Sequence, residues 1–129
     1  KNRREELLIY GNDWPTKDGT CIRDYIHVMD LADAHLAALK YLENNKTQII
    51  NINIGTGKGT SVLELVRIFS SINKCLLPYK FVERRNGDAP FVVADNTLAL
   101  KILNWKPKRN LSDICKDTWK WILNKNSKI

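Results

Sequence analysis

A chain of 129 residues that is 43% hydrophobic and 27% charged holds enough apolar material for one compact core and has the charge usage of an ordinary soluble domain, not of a disordered chain. No apolar stretch approaches the roughly 18 residues of a membrane span, and three cysteines, Cys21, Cys75 and Cys115, without a Cys-x-x-Cys argue against a disulfide scaffold or a zinc knuckle and for a reducing cytoplasm. The 21 basic against 14 acidic residues give +7, but the basic residues are scattered over Lys1, Arg3 and Arg4, then Lys106, Lys108 and Arg109, then Lys120, Lys125 and Lys128, which reads as a solvated surface and not as a nucleic-acid interface.

The charged run Lys1 to Glu6 is not followed by the apolar segment of a secretory signal. The only methionine is Met29, so Lys1 is not a natural start, and residues 1–129 are expected to form a single C-terminal portion of something longer. Leu7-Leu8-Ile9-Tyr10 predicts a short buried strand, stopped by Gly11-Asn12-Asp13-Trp14-Pro15 and a second turn at Asp18-Gly19. Ile22 to Val28 predicts another strand, and Asp30 the N-cap of a helix burying Leu31, His35, Ala38, Leu39 and Leu42 until Asn44-Asn45 ends it. Ile49 to Ile54 alternates isoleucine and asparagine as a strand does.

Gly55-Thr56-Gly57-Lys58-Gly59-Thr60 then turns into a helix that opens on the capping box Ser61-Val62-Leu63-Glu64 and carries the stripe Val62, Leu65, Val66, Phe69 and Ile72. Tyr79 to Glu83 and Phe91 to Ala94 predict two further extended pieces. Asp95 or Asn96 caps a short helix through Leu98, Ile102 and Leu103 that must stop before Pro107. Asn110 caps the last helix, with Leu111, Ile114, Thr118, Trp121 and Ile122 inward and Lys125 near its C-terminus. Strands alternating with helices give an α/β fold.

The glycine-rich turn lacks the spacing of a dinucleotide fingerprint or a P-loop, so it reads as a tight connection. His27 and His35 read as satisfied core or boundary histidines, and Asp30 and Asp33 as helix-start acids. None of Tyr10, Tyr25, Tyr41 and Tyr79 has a lysine four residues on, so a tyrosine and lysine proton-transfer pair is absent. Arg23 and Arg85 are the stronger candidates. Taken singly, each has a plainer reading, Arg23 as a surface ion-pair partner of Asp24, although such pairs contribute little and do not demand arginine, and Arg85-Asn86-Gly87-Asp88 as a capped loop. Together with an aromatic Tyr10 after a strand, Arg23, Arg85 and Asp88 suit a phosphorylated, hydroxyl-rich ligand, because guanidinium groups fork onto phosphate oxygens and carboxylates accept from sugar hydroxyls.

Gly11-Asn12-Asp13-Trp14-Pro15-Thr16-Lys17-Asp18-Gly19-Thr20 and Arg23-Asp24-Tyr25-Ile26-His27-Val28-Met29-Asp30-Leu31-Ala32, with Asn53-Ile54-Gly55-Thr56-Gly57, Arg84-Arg85-Asn86-Gly87-Asp88 and Leu103-Asn104-Trp105, closely resemble the second half of the UDP-glucose 4-epimerase family. These are extended short-chain dehydrogenases/reductases. The resemblance implies the C-terminal substrate-binding part of such an enzyme, with the Rossmann half missing. It further implies an NAD-dependent interconversion of UDP-glucose and UDP-galactose, a UDP-sugar partner with neither nucleic acid nor membrane, and a homodimer formed through the missing half. By motif, Arg23 and Arg85 would hold the diphosphate, Asp88 the ribose, Tyr10 would line the uracil site, Val62 would be a pocket wall, and Val92 would approach the hexose. Small residues at the Val92 position would leave room for an N-acetyl group, adding UDP-GlcNAc and UDP-GalNAc as substrates. NAD would be bound mainly by the missing half, which would also supply the catalytic tyrosine and lysine. The alternatives are another nucleotide-sugar epimerase or 4,6-dehydratase of the superfamily, a stand-alone nucleotide-sugar binding module, or an inert fragment.

Overall fold

The computed structural model describes residues 5–46 and 48–126, so the basic residues Lys1, Arg3, Arg4 and Lys128 lie outside the described residues. Strand β1 (Leu7–Tyr10) buries Ile9 and pairs in parallel with β4 (Tyr79–Val82), Leu7 opposite Tyr79 and Tyr10 opposite Val82. A second small sheet places β2 (Ile22–Arg23) between β3 (Thr60–Ser61), antiparallel, and β5 (Phe91–Val92), parallel. Both sheets are short, yet between them they draw together five separate strands.

Helix α2 (Val62–Asn73) begins where the capping box places it: the Ser61 hydroxyl accepts from the Glu64 amide at 3.0 Å. Leu63 and Val66 pack with Ile9 in one core cluster, Val62 and Leu77 against its edge. The same Ser61 hydroxyl donates to Asp18, whose other oxygen accepts from the Thr20 amide and hydroxyl, so the long loop after β1 is tied to the start of α2. Burial alone would raise the Asp18 carboxyl, but the hydrogen bonds from Ser61 and Thr20 outweigh it and hold the group below its ordinary value.

Helix α1 (Val28–Glu43) starts two residues before the cap assigned from sequence. Its N-cap is His27, buried, whose Nδ1 accepts from the Met29 amide at 3.1 Å. With Nδ1 an acceptor, Nε2 carries the proton and donates to Asp117 at 3.1 Å. His27 is thus a satisfied boundary histidine, as its alternation with apolar neighbours implied. Asp30 lies inside the first turn at 1% exposure. Its carboxylate accepts from the Lys108 amide at 3.1 Å, the Arg109 amide at 2.9 Å and the Arg109 guanidinium at 2.6 Å. Its own carbonyl accepts from the buried Trp105 indole at 3.2 Å. Burial pushes the Asp30 carboxyl up, but the bonds from Arg109 and Lys108 prevail and hold it below the carboxylate range.

The inner face of α1 differs from the one expected. Ala34, with Ala37, Ala38 and Tyr41, packs on α3 (Thr97–Leu103) through Ala99 and Leu103, while Leu31, Leu39 and Leu42 are exposed, as is His35. Ile49 to Ile54 pairs with no strand among the described residues, and Ile49 is 97% exposed. Along one side of α1 an apolar groove of about 410 Å³ runs between Ala34, Ala38 and Tyr41 and Ile49, Ile52 and Ile54.

The cap of α3 is shared between the two candidates: Asn96 holds the cap position but spends its amide on the Gly55 carbonyl at 3.0 Å, and Asp95 takes the Thr97 amide at 2.9 Å. Helix α4 (Leu111–Asn126) has a reciprocal cap, Asn110 and Asp113 each accepting from the other's amide. Its inner stripe is rotated from the one expected. Cys115 is buried and Trp119 meets Phe69 edge-on at 5.8 Å, whereas Trp121 is 63% exposed and Thr118 is exposed. No helix among the described residues is long and apolar enough to cross a membrane.

Candidate functional site

Where β1 ends, Gly11 takes φ +83 and its amide makes one last ladder bond to Val82 at 2.8 Å before the two chains part. The space that opens there is a cleft of about 240 Å³ lined by Leu8, Ile9, Tyr10, Cys21, Arg23, Tyr25, Val62, Arg85 and Asp88. Five of the six residues singled out in the sequence therefore line one cleft, although they come from β1, β2, the start of α2 and the loop after β4. Val92 does not line it. It stands beside the cleft on β5, opposite Arg23 in the ladder and 52% exposed.

The charges in the cleft are arranged around a single acid. Arg85 Nε donates to Asp88 Oδ2 at 3.0 Å, and Arg23 Nη2 lies 3.8 Å from Asp88 Oδ1. Two guanidinium groups share one carboxylate, so the trio keeps one positive charge in excess. Arg85 also lies over the Tyr10 ring, its guanidinium carbon 4.4 Å from the centroid, a cation–π contact that helps hold it at the cleft. Arg23 is anchored by Nη1, which donates to the carbonyls of Ile22 and Ala89, each at 2.8 Å. The turn that carries Arg85 and Asp88 is closed by the Asp88 amide on the Arg85 carbonyl at 3.3 Å, with Gly87 at φ +85. An anion with several oxygens would find two preoriented forks here, and a neighbouring hydroxyl would find a carboxylate.

Tyr25 was missed as a cleft residue, although a signal existed: in an extended segment, residues two apart face the same side, and Tyr25 follows Arg23 by two. Burial pushes its phenol up; Arg23 pulls it down and Cys21 adds to the rise, and burial prevails. Tyr25 is therefore a protonated hydrogen-bond donor at neutral pH.

Asp24 is not the ion-pair partner of Arg23. Its carboxylate accepts from the amides of Thr56 and Gly57, each at 2.9 Å, from the Thr56 hydroxyl, and from the Ala94 amide at 3.3 Å. The glycine-rich turn thus closes around a carboxylate of its own chain, in agreement with its reading as a tight connection. A Cβ on Gly55 would come within 2.5 Å of both Asp24 Oδ2 and the Ala94 side chain, which is why this position needs glycine. With those amides taken, the turn does not offer them to a phosphate. Among the described residues no group of His, Cys, Asp and Glu is arranged to hold a metal ion.

Residues 1–118 match a protein-family model described as GDP-mannose 4,6-dehydratase. The chain belongs to this family. Within it, the chain is 51% identical over 123 residues to a UDP-glucose 4-epimerase of Cyamopsis tetragonoloba, a match that takes in 95% of this chain and 35% of that protein. It is 47% identical over 117 residues to the UDP-glucose 4-epimerase of Bacillus subtilis, with 91% of this chain and 34% of that protein covered. A crystal structure of UDP-glucose 4-epimerase from Stenotrophomonas maltophila with bound NAD and formylated UDP-arabinopyranose superposes at a TM-score of 0.92 and 44% identity, over 96% of this chain and 37% of that one. The Bifidobacterium longum enzyme in complex with NAD+ and UDP gives 0.89 at 35% identity, over 97% and 37%. The fold is that of a partial extended short-chain dehydrogenase/reductase, and the chain spans about a third of the length of the family members it matches.

Proposed function

We propose that this chain is the C-terminal, substrate-binding part of a longer NAD-dependent UDP-glucose 4-epimerase and that its cleft holds the UDP moiety of the sugar nucleotide. The observation that carries this is the convergence of Tyr10, Arg23, Val62, Arg85 and Asp88 on one cleft in which two arginines share one acid. Arg23 and Arg85 grip the diphosphate, Asp88 accepts from the ribose, Tyr10 lines the uracil site, Val62 forms a pocket wall, and Tyr25 donates to the ligand. Each charge-assisted hydrogen bond contributes about 1.5 to 3 kcal/mol against the roughly 8 kcal/mol of a micromolar affinity, so the two arginines carry a large share of the binding and the rest of the cleft supplies the remainder. The family model is described by a dehydratase, but the identities of 51% and 47% to epimerases favour the epimerase.

NAD supplies hydride transfer in such enzymes; its contacts, the acid–base residues and the homodimer interface are assigned to the upstream part, and the setting is the cytoplasm. The contribution of this chain is to orient the nucleotide so that the hexose projects beyond Arg23 and β5. The test is to assay the longer protein for conversion of UDP-galactose to UDP-glucose with bound NAD. Turnover supports the reading, and a protein that binds UDP-sugars without turning them over makes it a binding module. The chain alone is expected neither to epimerise nor to retain NAD, and its uncovered Ile49 to Ile54 segment and α1 leucines are expected to drive self-association. A coupled epimerase assay and sedimentation velocity across a concentration series check both. NAD-dependent turnover, or a monomer at high concentration, would contradict them.

Val92, apolar and beside Arg23, is assigned to the hexose side, where its small size leaves room for a 2-acetamido group, so UDP-GlcNAc and UDP-GalNAc are substrates too. Val92→Tyr is expected to depress kcat/KM for UDP-GalNAc by at least about tenfold while leaving UDP-galactose within about twofold. Equal losses on both substrates would return Val92 to a packing role in β5.

A further inference from the structure

Arg84 precedes Arg85 in the loop after β4 but engages a separate set of partners. Its Nε donates to Asp13 Oδ1 at 2.8 Å and its Nη2 to the Asp13 carbonyl at 2.5 Å. Its guanidinium carbon lies 4.0 Å from the centroid of the Trp14 ring. Trp14 is buried, and its indole Nε1 donates to the Tyr10 carbonyl at 3.1 Å. A Cβ on Gly11 would come within 2.3 Å of that indole nitrogen and 2.9 Å of Arg84 Cγ, so the absence of a side chain there lets the tryptophan and the arginine close over the main chain. Gly11, Asp13, Trp14 and Arg84 form one clamp just past the end of the β1–β4 ladder.

The clamp contributes little to folding in its own right, because Arg84 is 41% and Asp13 67% exposed and such ion pairs are screened by water. Its consequence is local. From Glu83 to Gly87 every residue is exposed. Past Val82 the loop is held by the Arg84 clamp on one side and by the contacts of Arg85 and Asp88 at the cleft on the other. The clamp ties Arg84 to the loop that directly follows Tyr10, and so holds the next residue, Arg85, beside the Tyr10 ring it lies over. The planar fork matters here: two N–H donors meet Asp13 while the face stacks on the indole, which a lysine cannot reproduce.

We propose that Arg84 is a positioning residue for nucleotide binding, setting the approach of Arg85 and Asp88 to the diphosphate without touching the ligand. This rests on the reading of the cleft as the UDP site. The experiment is a double-mutant cycle in the longer protein, with calorimetric titration of UDP and a thermal melt for each variant. Arg84→Ala is expected to weaken UDP binding by about three- to tenfold with the melting midpoint nearly unchanged, and Arg84→Lys to recover little of the loss. In an Arg85→Ala background the same substitution is expected to cost less than about twofold, because its effect runs through Arg85. Asp13→Ala, an exposed change on the opposite side of the clamp, is expected to act in the same direction and likewise to lose its effect once Arg85 is gone. Equal factors in both backgrounds would mean direct contact or general weakening, and unchanged affinity in Arg84→Ala and Asp13→Ala would mean no role; either overturns the inference. A wild-type protein that binds no UDP overturns the reading of the cleft itself, and the positioning role falls with it.

Discussion

Arg85→Ala, introduced into the longer protein proposed above, is expected to weaken UDP binding by about ten- to a hundredfold, the loss of one charge-assisted fork. Its side chain is 60% exposed and bonded only within the cleft, so the melting midpoint should barely move. Arg23→Ala is expected to cost as much affinity and also some stability, because Arg23 Nη1 bridges the carbonyls of Ile22 and Ala89 and so ties β2 to the loop before β5. Lysine should rescue Arg85 only partly, giving a point charge without the fork or the stack on Tyr10. Calorimetric titration with UDP alongside a thermal melt separates the two effects. Unchanged affinity in both alanine variants would remove the diphosphate role.

The largest effect on stability is expected at Asp30. Asp30→Ala strands the amides of Lys108 and Arg109 and, among the described residues, leaves the Arg109 guanidinium with Asp33 alone, at 3.4 Å. Breaking a buried charged network from one side costs about 3 to 5 kcal/mol, which for a domain of this size lowers the melting midpoint by about 10 °C or more. The folded-state pKa of Asp30 is depressed, so its contribution is complete above the unfolded value of about 4 and is lost as pH falls through the lower folded value. The difference in stability between wild type and Asp30→Asn should therefore shrink as pH drops below about 4. Chemical denaturation at a series of pH values measures it, and a difference that stays constant down to the acid limit would show that Asp30 titrates no differently when folded.

Local signals were read well from the chain, and signals that depend on a distant partner were not. The strand Leu7–Tyr10, the Ser61 cap and the Asn110 cap are decided within four residues of sequence, and all three stand in the structure. Asp30 illustrates the opposite case. An aspartate before an apolar run is a fair N-cap by composition, but the main chain of Lys108 and Arg109 claims it, and a histidine takes the cap instead. Trp119 and Trp121 fit similar helical periods, and only the position of Phe69 on α2 selects Trp119. In α1, two apolar faces compete; the small one, Ala34 and Ala38, packs on α3, and the leucine face has no cover among the described residues.

The cleft was legible for a similar reason. Arg23, Arg85 and Asp88 stood out as residue types whose chemistry converges on phosphate and sugar, whereas Tyr25 was hidden in a stretch that reads as ordinary strand. The partners of Asp24 are not legible locally, because the amides that satisfy it lie on a turn far along the chain, around Thr56.

A crystal structure of the longer protein with UDP tests the central claim most directly. The diphosphate is expected between the guanidinium groups of Arg23 and Arg85, with the ribose at Asp88 and the uracil beside Tyr10. A UDP whose phosphates lie at the turn Gly55 to Gly59 or in the groove along α1, leaving Arg23 and Arg85 on Asp88 alone, would contradict it.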